Sequence, residues 1–355
     1  MIRLLLFYFC CFYSSSLFSQ ALQGKIIDAE TGKALSGASI YINNTSIGTM
    51  SDSTGSFQIL NPVNGDLIAS YIGYERTITP IQILNFSDKN FLLQLYKKQQ
   101  SLEEVLLIND ATRAKYISYV KKILLGKTEE AVHCRIENLK DVYFVSSKDG
   151  DEFITARAEK PLKIYNKKLG YNIQFDLVDF GYNPYNGSYS YYGFTVFENL
   201  GNSKKHLKFR ENSYYGSELQ FFRSVISDSL IENGFTVWNI VADSSSKGYG
   251  NYKTITEPFN RFKLLKKDTT DGLYQLYWNV ELRIVYNKKL NVFLNRESFS
   301  PLILHGNISR LEKVTKYILI DKYGYVINPM HLYKSGYWSM YSLANMLPFD
   351  YQPSP

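Results

Sequence analysis

The sequence predicts a mainly β fold, in which a small seven-stranded sandwich precedes a larger antiparallel, β-rich region with a few helices. Short runs of alternating apolar and polar residues recur along most of the chain, and a period of two is typical of strands with one buried face. Clusters of Gly, Asn, Asp and Ser separate these runs. The 30 Tyr and 22 Phe among 355 residues also favour pleated surfaces.

The tyrosines leave two interpretations open, half-exposed sheet faces or a surface that stacks on carbohydrate or lies at a membrane interface. The formal net charge is +7. Its lysines and arginines are bunched near turn residues, which is typical of solvated faces. These bunches are Lys160/Lys163/Lys167/Lys168, Lys204/Lys205/Lys208/Arg210 and Lys263/Lys266/Lys267. Given the export signal described next, nucleic acid is not expected as the partner of this charge, and an anionic lipid or glycan surface is favoured.

The amino terminus predicts a secretory signal peptide over residues 1–20. Arg3 is followed by the apolar run Leu4–Tyr13 and a small-residue exit, and that run is too short to span a bilayer comfortably. Cleavage after Ser19 or Gln20 fits best and lowers the formal charge from +7 to +6. Cys10 and Cys11 lie too early for a lipoprotein site, and both leave with the leader. The expected location is the periplasm or the periphery of the outer membrane.

Residues 21–97 carry the sandwich pattern. Alternating runs occur at 24–28, 38–42, 48–50, 56–60, 66–71, 76–80 and 91–96. Asp52-Ser53-Thr54-Gly55 has the Asp-first, Gly-last order of a type I turn. Asn64-Gly65 predicts a tight hairpin.

The same residues carry a resemblance to a known family. The spaced motifs are Gly24-x-Ile26, Asp28-x-x-Thr31-Gly32, Leu35-x-Gly37-Ala38-x-Ile40, Gly48-Thr49-x-x-Asp52-x-x-Gly55-x-Phe57 and Ser70-Tyr71-Ile72-Gly73-Tyr74. In this order they resemble the carboxypeptidase regulatory-like domain, a prealbumin/Ig-like sandwich found beside metallocarboxypeptidases and in bacterial envelope proteins. The resemblance implies a module that folds, spaces or docks, and that carries no chemistry of its own.

A zinc peptidase is not predicted. The four histidines are His133, His206, His305 and His331. None is followed by Glu three residues later, whereas a zinc site of this kind needs closely spaced His and Glu ligands. We therefore expect no cofactor and no metal. With both leader cysteines removed, Cys134 alone remains and cannot form an internal disulfide.

Residues 98–109 are expected to be a linker or strand, and residues 110–352 a β-rich domain of unknown function. Helices are predicted over 110–125, with Asp110 as cap and Gly126 as stop, and over 218–233, where Ser217–Gln220 forms a capping box. One strand is predicted over 276–284 and another around 173–177. Further strands are predicted over 142–147, 152–158, 188–197, 235–241, 291–298 and 315–321.

A second resemblance concerns this larger region. It rests on Lys160-Pro161-Leu162 to Leu169-Gly170-Tyr171, on Tyr214-Tyr215-Gly216-Ser217 to Arg223-Ser224, and on Gly336-Tyr337-Trp338 with Met346–Tyr351. These segments resemble the uncharacterised domain that follows the sandwich in a family of exported Gram-negative bacterial proteins. That resemblance implies an architecture and no mechanism.

The polar candidates for a site are few. Arg210, Glu211 and Arg223, near His206, fit either an anion site or a buried arginine–carboxylate pair that fixes a helix. The pair His133 and Cys134 suggests a base and a nucleophile, but neighbours on a strand point to opposite faces and a buried thiol is the simpler interpretation. Asn-x-Ser/Thr sites at Asn43-Asn44-Thr45-Ser46 and Asn186-Gly187-Ser188 have no meaning in a bacterium.

The leading hypothesis is a non-catalytic envelope protein that binds or scaffolds an envelope protein, a glycan or an anionic lipid surface. An enzyme of unfamiliar type acting on an envelope glycan or peptide is the alternative, and an outer-membrane β-barrel component is a third. The two predicted helices interrupt the strand series, which disfavours the third. No integral membrane span is expected, because no later stretch reaches 18 consecutive apolar residues.

The mature protein should therefore be soluble or only peripherally attached. Fractionation of cell envelopes, with a carbonate wash of the membrane pellet, measures this. Carbonate-resistant, heat-modifiable protein in the outer-membrane pellet would instead support the barrel hypothesis.

Overall fold

The protein is mainly β, with several antiparallel sheets and an Ig-like sandwich at its amino end, which confirms the predicted fold class. The computed structural model describes residues 21–81, 91–98, 105–146, 153–242, 252–255, 265–267, 273–278, 281–287 and 307–354. The predicted signal peptide over 1–20 and the predicted strand over 291–298 lie outside the described residues.

The first seven strands form the two layers of the sandwich. They are β1 Ala21–Asp28, β2 Ser39–Ile42, β3 Gly48–Met50, β4 Ser56–Leu60, β5 Asp66–Ser70, β6 Thr77–Pro80 and β7 Phe91–Leu95. One sheet has the order β4-β1-β7 and the other β3-β2-β5-β6. The predicted alternation is present, since Phe57 and Ile59 of β4 are buried while Ser56 and Gln58 are exposed. The inner faces enclose one apolar cluster.

The two predicted turns of the sandwich have different outcomes. Asp52 Oδ1 accepts hydrogen bonds from the backbone N–H groups of Thr54 and Ser56 at 2.8 and 2.9 Å, and Gly55 has φ 77°. The turn is thus formed as expected. The hairpin at Asn64-Gly65 is wrong, because β4 and β5 belong to different sheets. The chain crosses there from one layer to the other, so that both strands turn apolar side chains into one core.

Asp28 links two of the family motifs through its carboxylate. It accepts hydrogen bonds from the backbone N–H groups of Glu30 and Thr31, both at 2.8 Å, and from the Tyr74 hydroxyl at 2.6 Å. The Tyr74 bond, followed by the Thr31 bond, lowers the pKa of Asp28 to about 2. The same contact raises the pKa of Tyr74 to about 12.

A six-stranded antiparallel sheet follows the sandwich. Its strands are β8 Cys134–Ile136, β9 Val142–Val145, β10 Ile154–Ala158, β11 Leu162–Asn166, β12 Tyr171–Tyr182 and β13 Tyr189–Asn199. The long hairpin β12–β13 has β11 and β10 on the other side of β12. Val105, from the expected linker or strand, pairs with Val145 at the far edge.

Helix α1, Asp110–Leu125, packs Val120 and Leu124 into the core of this sheet. Its cap is Asn109 and not Asp110 as expected, because the Asn109 side chain accepts the N–H of Thr112 at 2.9 Å. The helix ends at Gly126, which has φ 85°, as predicted. A single helical turn α2, Glu129–Val132, leads into β8.

Two further helices join the six-stranded sheet to the last part of the fold. Helix α3, Lys204–Tyr214, was not predicted, because most of its residues are polar and its buried face includes an arginine. Helix α4, Glu218–Ser227, is capped by Ser217 as predicted but ends well before residue 233. Asp228 takes the left-handed conformation at φ 56° and stops it.

The last part of the fold holds two sheets. A five-stranded antiparallel sheet comprises β15 Tyr252–Ile255, β14 Phe235–Ala242, β18 Glu281–Tyr286, β19 Asn307–Lys313 and β21 Leu332–Gly336, in that order. A three-stranded sheet comprises β16 Leu265–Lys267, β17 Tyr274–Leu276 and β20 Ile318–Ile320. The single strand predicted over 276–284 is therefore wrong, because its two ends pair in different sheets. Its even positions Leu276, Trp278, Leu282 and Ile284 are buried in one cluster all the same.

We expect Asp28→Asn to destabilise the protein near neutral pH. The Asp28 carboxyl group has a pKa of about 2 in the folded protein, against an ordinary value of 3.8. A group whose pKa is lowered in this way stabilises the fold above its ordinary pKa. That contribution is lost as the pH falls through the folded value. Urea midpoints of the wild type and the variant should differ most above about pH 5 and converge toward about pH 2.

The exposed Tyr96→Phe change serves as the control for the Asp28 variant and should leave the midpoint unchanged at every pH. A difference between the wild type and Asp28→Asn that does not vary with pH would contradict the assignment of the Asp28 hydrogen bonds.

Candidate functional site

Arg210 lies in helix α3 and faces the turn that joins β11 to β12. Its side chain is buried, with the residue 2% exposed. Its Nε donates to the carbonyl of Leu169 at 2.7 Å, and its Nη2 donates to the carbonyl of Gly170 at 3.0 Å. The guanidinium thereby fastens the helix to the turn.

The two terminal nitrogens of Arg210 make further hydrogen bonds. Nη1 donates to Asn202 Oδ1 at 2.8 Å, and Nη2 donates to Asn199 Oδ1 at 2.9 Å and to the Gly201 carbonyl at 3.1 Å. The guanidinium carbon also lies 4.0 Å from the ring centre of Tyr171. Burial lowers the pKa of Arg210 below its ordinary value, but arginine keeps its charge in proteins. The charge is thus stabilised by neutral oxygens and a ring face.

Gly170 is required where it stands. Its φ of 66° lies in the left-handed region, and a Cβ there would come within 2.3 Å of His206 Nδ1. His206 Nδ1 makes a 3.0 Å hydrogen bond with the Gly201 carbonyl oxygen. This histidine therefore packs beside the turn that Arg210 holds.

Arg223 lies in helix α4 and contacts the carboxyl-end segment of the chain. Nε donates to the carbonyl of Tyr323 at 2.8 Å, Nη1 to the carbonyl of Tyr351 at 2.9 Å, and Nη2 to the carbonyl of Phe349 at 2.8 Å. Its guanidinium carbon is 5.4 Å from the ring centre of Tyr214. Like Arg210, it binds main-chain oxygens.

Glu211 is half-buried on helix α3. Among the ion pairs of the described residues, none joins it to Arg210 or Arg223. Within the part of the chain that the structure describes, the two arginines share no hydrogen-bond partner either. The helices are held by arginine–carbonyl contacts rather than by the arginine–carboxylate pair considered from the sequence.

Cys134 and His133 point in different directions at the start of β8. Cys134 is 6% exposed and His133 is exposed. Burial, with a smaller effect of the Glu130 charge, raises the pKa of the Cys134 thiol to about 12. Since the thiolate is the nucleophile, this thiol is unreactive at neutral pH.

Within the residues that the structure describes, no three His, Cys, Asp or Glu side chains are grouped so as to hold a metal ion. The helices in the same part of the chain include none that is long and apolar enough to cross a membrane.

The structure brings together a different set of residues, at the contact between the sandwich and the six-stranded sheet. The docking loop, residues 43–47, connects β2 to β3 and pairs in parallel with the outer edge of β13. Asn44 N–H donates to the Thr195 carbonyl at 2.7 Å, and Phe197 N–H donates to the Thr45 carbonyl at 3.0 Å. Thr195 N–H donates to Asn43 Oδ1 at 2.9 Å. The loop thus extends the sheet by a short strand.

Side chains next to the docking loop close the contact. Tyr41 and Ile68, on the outer face of the sandwich, pack with Phe194 in a buried apolar cluster. Arg76 binds the carboxylate of Asp176 through both Nε, at 2.9 Å, and Nη2, at 3.0 Å. Such bidentate pairs add orientation as well as attraction.

The carboxyl-end segment adds a third contact to the docking loop. Phe349 N–H donates to the Asn44 carbonyl at 2.8 Å. Ser46 N–H donates to Asp350 Oδ1 at 2.9 Å, and the Ser46 hydroxyl binds Asp350 Oδ2. The loop therefore joins the sandwich, β13 and the end of the chain.

The role of this loop was not predicted from the sequence, where Asn43-Asn44-Thr45-Ser46 was considered only as a glycosylation pattern. The available signal was the asparagine pair, since Asn tolerates the left-handed conformation that Asn44 adopts at φ 60°. Nothing in the sequence indicates which strand edge accepts the loop.

Comparison with known proteins supports the amino-terminal assignment. The CarboxypepD_reg-like domain model matches residues 22–107. The resemblance predicted for the sandwich is thereby confirmed, and the second resemblance, beyond residue 110, stays a prediction.

None of the curated proteins matches this chain. Among solved structures, a protein of unknown function from Bacteroides fragilis, described as membrane-associated, is 15% identical over 44% of this chain, with a TM-score of 0.18. The matched region spans 64% of that protein's length.

We expect Arg210→Ala to lower the free energy of unfolding by about 3 to 5 kcal/mol, because it leaves buried oxygens without donors. Arg210→Lys should lose much of the same free energy, since an ammonium group cannot reproduce the guanidinium fork. Urea unfolding followed by circular dichroism measures both.

Lys205→Ala, at an exposed position of the same helix, is the matched control for Arg210 and should change stability by less than about 0.5 kcal/mol. If Arg210→Ala were as stable as this control, the structural role would be wrong and an anion site would become the better interpretation.

Proposed function

We propose that the chain is a non-catalytic envelope protein that binds or scaffolds a partner protein at the periplasmic or outer-membrane surface. The observation that carries this proposal is the docking of the sandwich onto β13 through residues 43–47. The module acts there as a structural element that covers a sheet edge. The signal-peptide pattern at residues 1–20 supports export.

The polar candidates support the same proposal. Each side-chain nitrogen of Arg210 and Arg223 donates a hydrogen bond to a carbonyl or amide oxygen of this chain. The Cys134 thiol is buried. The groups best suited to chemistry by type are thus engaged in holding helices, a turn and the end of the chain.

Exposed tyrosines provide the expected contact surface. Tyr185 and Tyr189 lie at and beside the β12–β13 turn, and Tyr96 and Tyr333 lie elsewhere on the surface. Tyrosine contributes a large, rigid contact area and a polar tip, and it is enriched where proteins bind one another. The predicted boundaries, with a leader over 1–20, a sandwich over 21–97, a linker over 98–109 and a β-rich domain over 110–352, belong to this proposal.

Crosslinking capture tests the function. Tagged mature protein, incubated with envelope extracts, should recover a defined partner, and Tyr185→Ser with Tyr189→Ser should reduce recovery at least about tenfold through lost contact area. Tyr96→Ser, at an exposed tyrosine that follows β7 of the sandwich, is the matched control. Recovery of the protein alone, together with hydrolysis of a glycan or peptide library, would overturn the proposal in favour of an enzyme.

A further inference from the structure

The outer edge of β13 is only partly covered by the docking loop. Thr195 and Phe197 direct their main-chain groups outward, because they bond to Asn44 and Thr45. At the other end of the strand, the Ser188 carbonyl accepts the N–H of Asn183, across the β12–β13 turn. The one register shift of this pairing, between Leu177 and Asp179, puts its extra residue on β12. Even-numbered residues of β13 therefore face β12 and odd-numbered residues face outward.

This alternation gives Tyr189, Tyr191 and Gly193 outward N–H and C=O groups. Within the described residues, no main-chain group bonds to them on the outer side. Tyr189 is 45% exposed and Tyr192 is 37% exposed. The open edge from Tyr189 to Gly193 is about 14 Å long at the usual rise per strand residue.

We propose that this open edge of β13 binds an extended peptide segment of a partner protein by strand addition. The inference deepens the proposed binding function and rests on it. Exposed main-chain donors and acceptors in a row accept an extended chain, and such pairing is a common mode of peptide recognition.

The docking loop shows that this edge accepts a strand. Asn43–Thr45 already pairs with the next outward residues, Thr195 and Phe197. A peptide at Tyr189–Gly193 would continue the same edge without displacing the loop.

The side chains beside the edge indicate the character of the peptide. Tyr192 lies on the face that meets the sandwich and contacts Phe194, with ring centres 5.3 Å apart. Tyr189 lies on the opposite face, where its hydroxyl donates to the Ser339 carbonyl at 3.4 Å. A bound strand would thus have a tyrosine beside it on each face, which favours β-branched and aromatic residues and excludes proline.

A second copy of this chain fits the edge less well than a peptide. Antiparallel pairing of two β13 strands about Tyr191 would set residue 187 of one copy against Thr195 of the other. The docking loop already occupies the edge at Thr195. A narrow, extended peptide avoids this conflict.

The first test uses the full mature chain and a bead-displayed library of decapeptides built from Thr, Val, Tyr, Ser and Lys. Residue-resolved hydrogen exchange follows the amides of β13 with a selected peptide. We expect the amides of Tyr189, Tyr191 and Gly193 to become at least about tenfold more protected. The amides of Ser190 and Tyr192 donate toward β12, so they should be protected already and unchanged.

The second test compares a variant in the edge with a tyrosine variant outside it. Tyr189→Pro removes an outward N–H without removing a bond to β12, and should weaken peptide binding about tenfold. Tyr96→Ser, at a 58% exposed tyrosine of the sandwich, is the control and should bind normally. Thermal melts check that both variants are folded. If Tyr189→Pro does not fold, the hydrogen-exchange pattern of the wild type tests the inference by itself.

Three results would overturn the inference: no peptide bound at about 1 mM, protection away from the odd-numbered amides, or protection that rises with protein concentration without peptide. The last of these would indicate a second copy of the chain. If the wild type and Tyr189→Pro capture an envelope partner equally well, the edge inference is contradicted but the proposed function is not. Capture of no partner would sink the function itself.

Discussion

Main-chain groups at the edge of β13 need partners, and this requirement decides where the sandwich lies. The docking loop supplies the partners through Asn44 and Thr45, and the Asn43 side chain supplies another. Leaving such groups buried and unpaired would cost more than the hydrogen bonds contribute when formed. The Arg76–Asp176 pair, with side chains only 22% and 13% exposed, orients the contact through two hydrogen bonds. Pairing and apolar burial at Phe194 thus fix the sandwich on the sheet.

The same requirement explains the carboxyl-end segment, which has little regular structure of its own. The Leu343 N–H donates to the carbonyl of Leu124, at the end of α1. The Asn166 side chain donates to the Ala344 carbonyl at 2.8 Å. Arg223 satisfies the carbonyls of Phe349 and Tyr351. Each contact comes from a different element, so the segment ties helix α1, the six-stranded sheet and helix α4 together. An irregular segment that packs between folded elements needs side-chain donors of this kind.

Local sequence patterns predicted the strands of the sandwich, but they failed for several elements of the larger region. The seven runs, the turn at Asp52–Gly55 and the cap at Ser217 depend on neighbouring residues, and they occur as expected. Helix α3 and the split of the strand over 276–284 depend on distant partners. Arg210 shows why: its burial requires the turn at Leu169–Gly170 and the side chains of Asn199 and Asn202. No local pattern reveals that a charged residue will be the buried one.

The reactive side chains that the sequence singled out make structural contacts in the fold. Arginines, a cysteine and a histidine attract attention in a sequence because their side chains can do chemistry. Here the arginine donors already have oxygen acceptors within the chain, and the thiol is held protonated by burial. The proposed binding edge consists of main-chain groups, which a sequence does not display, because every residue but proline carries both a donor and an acceptor. The sandwich uses part of the β13 edge, and the length that it leaves open is set by where the docking loop begins. The placement of one polar loop therefore fixes the contact between the sandwich and the six-stranded sheet, and it sets the length of the proposed binding edge.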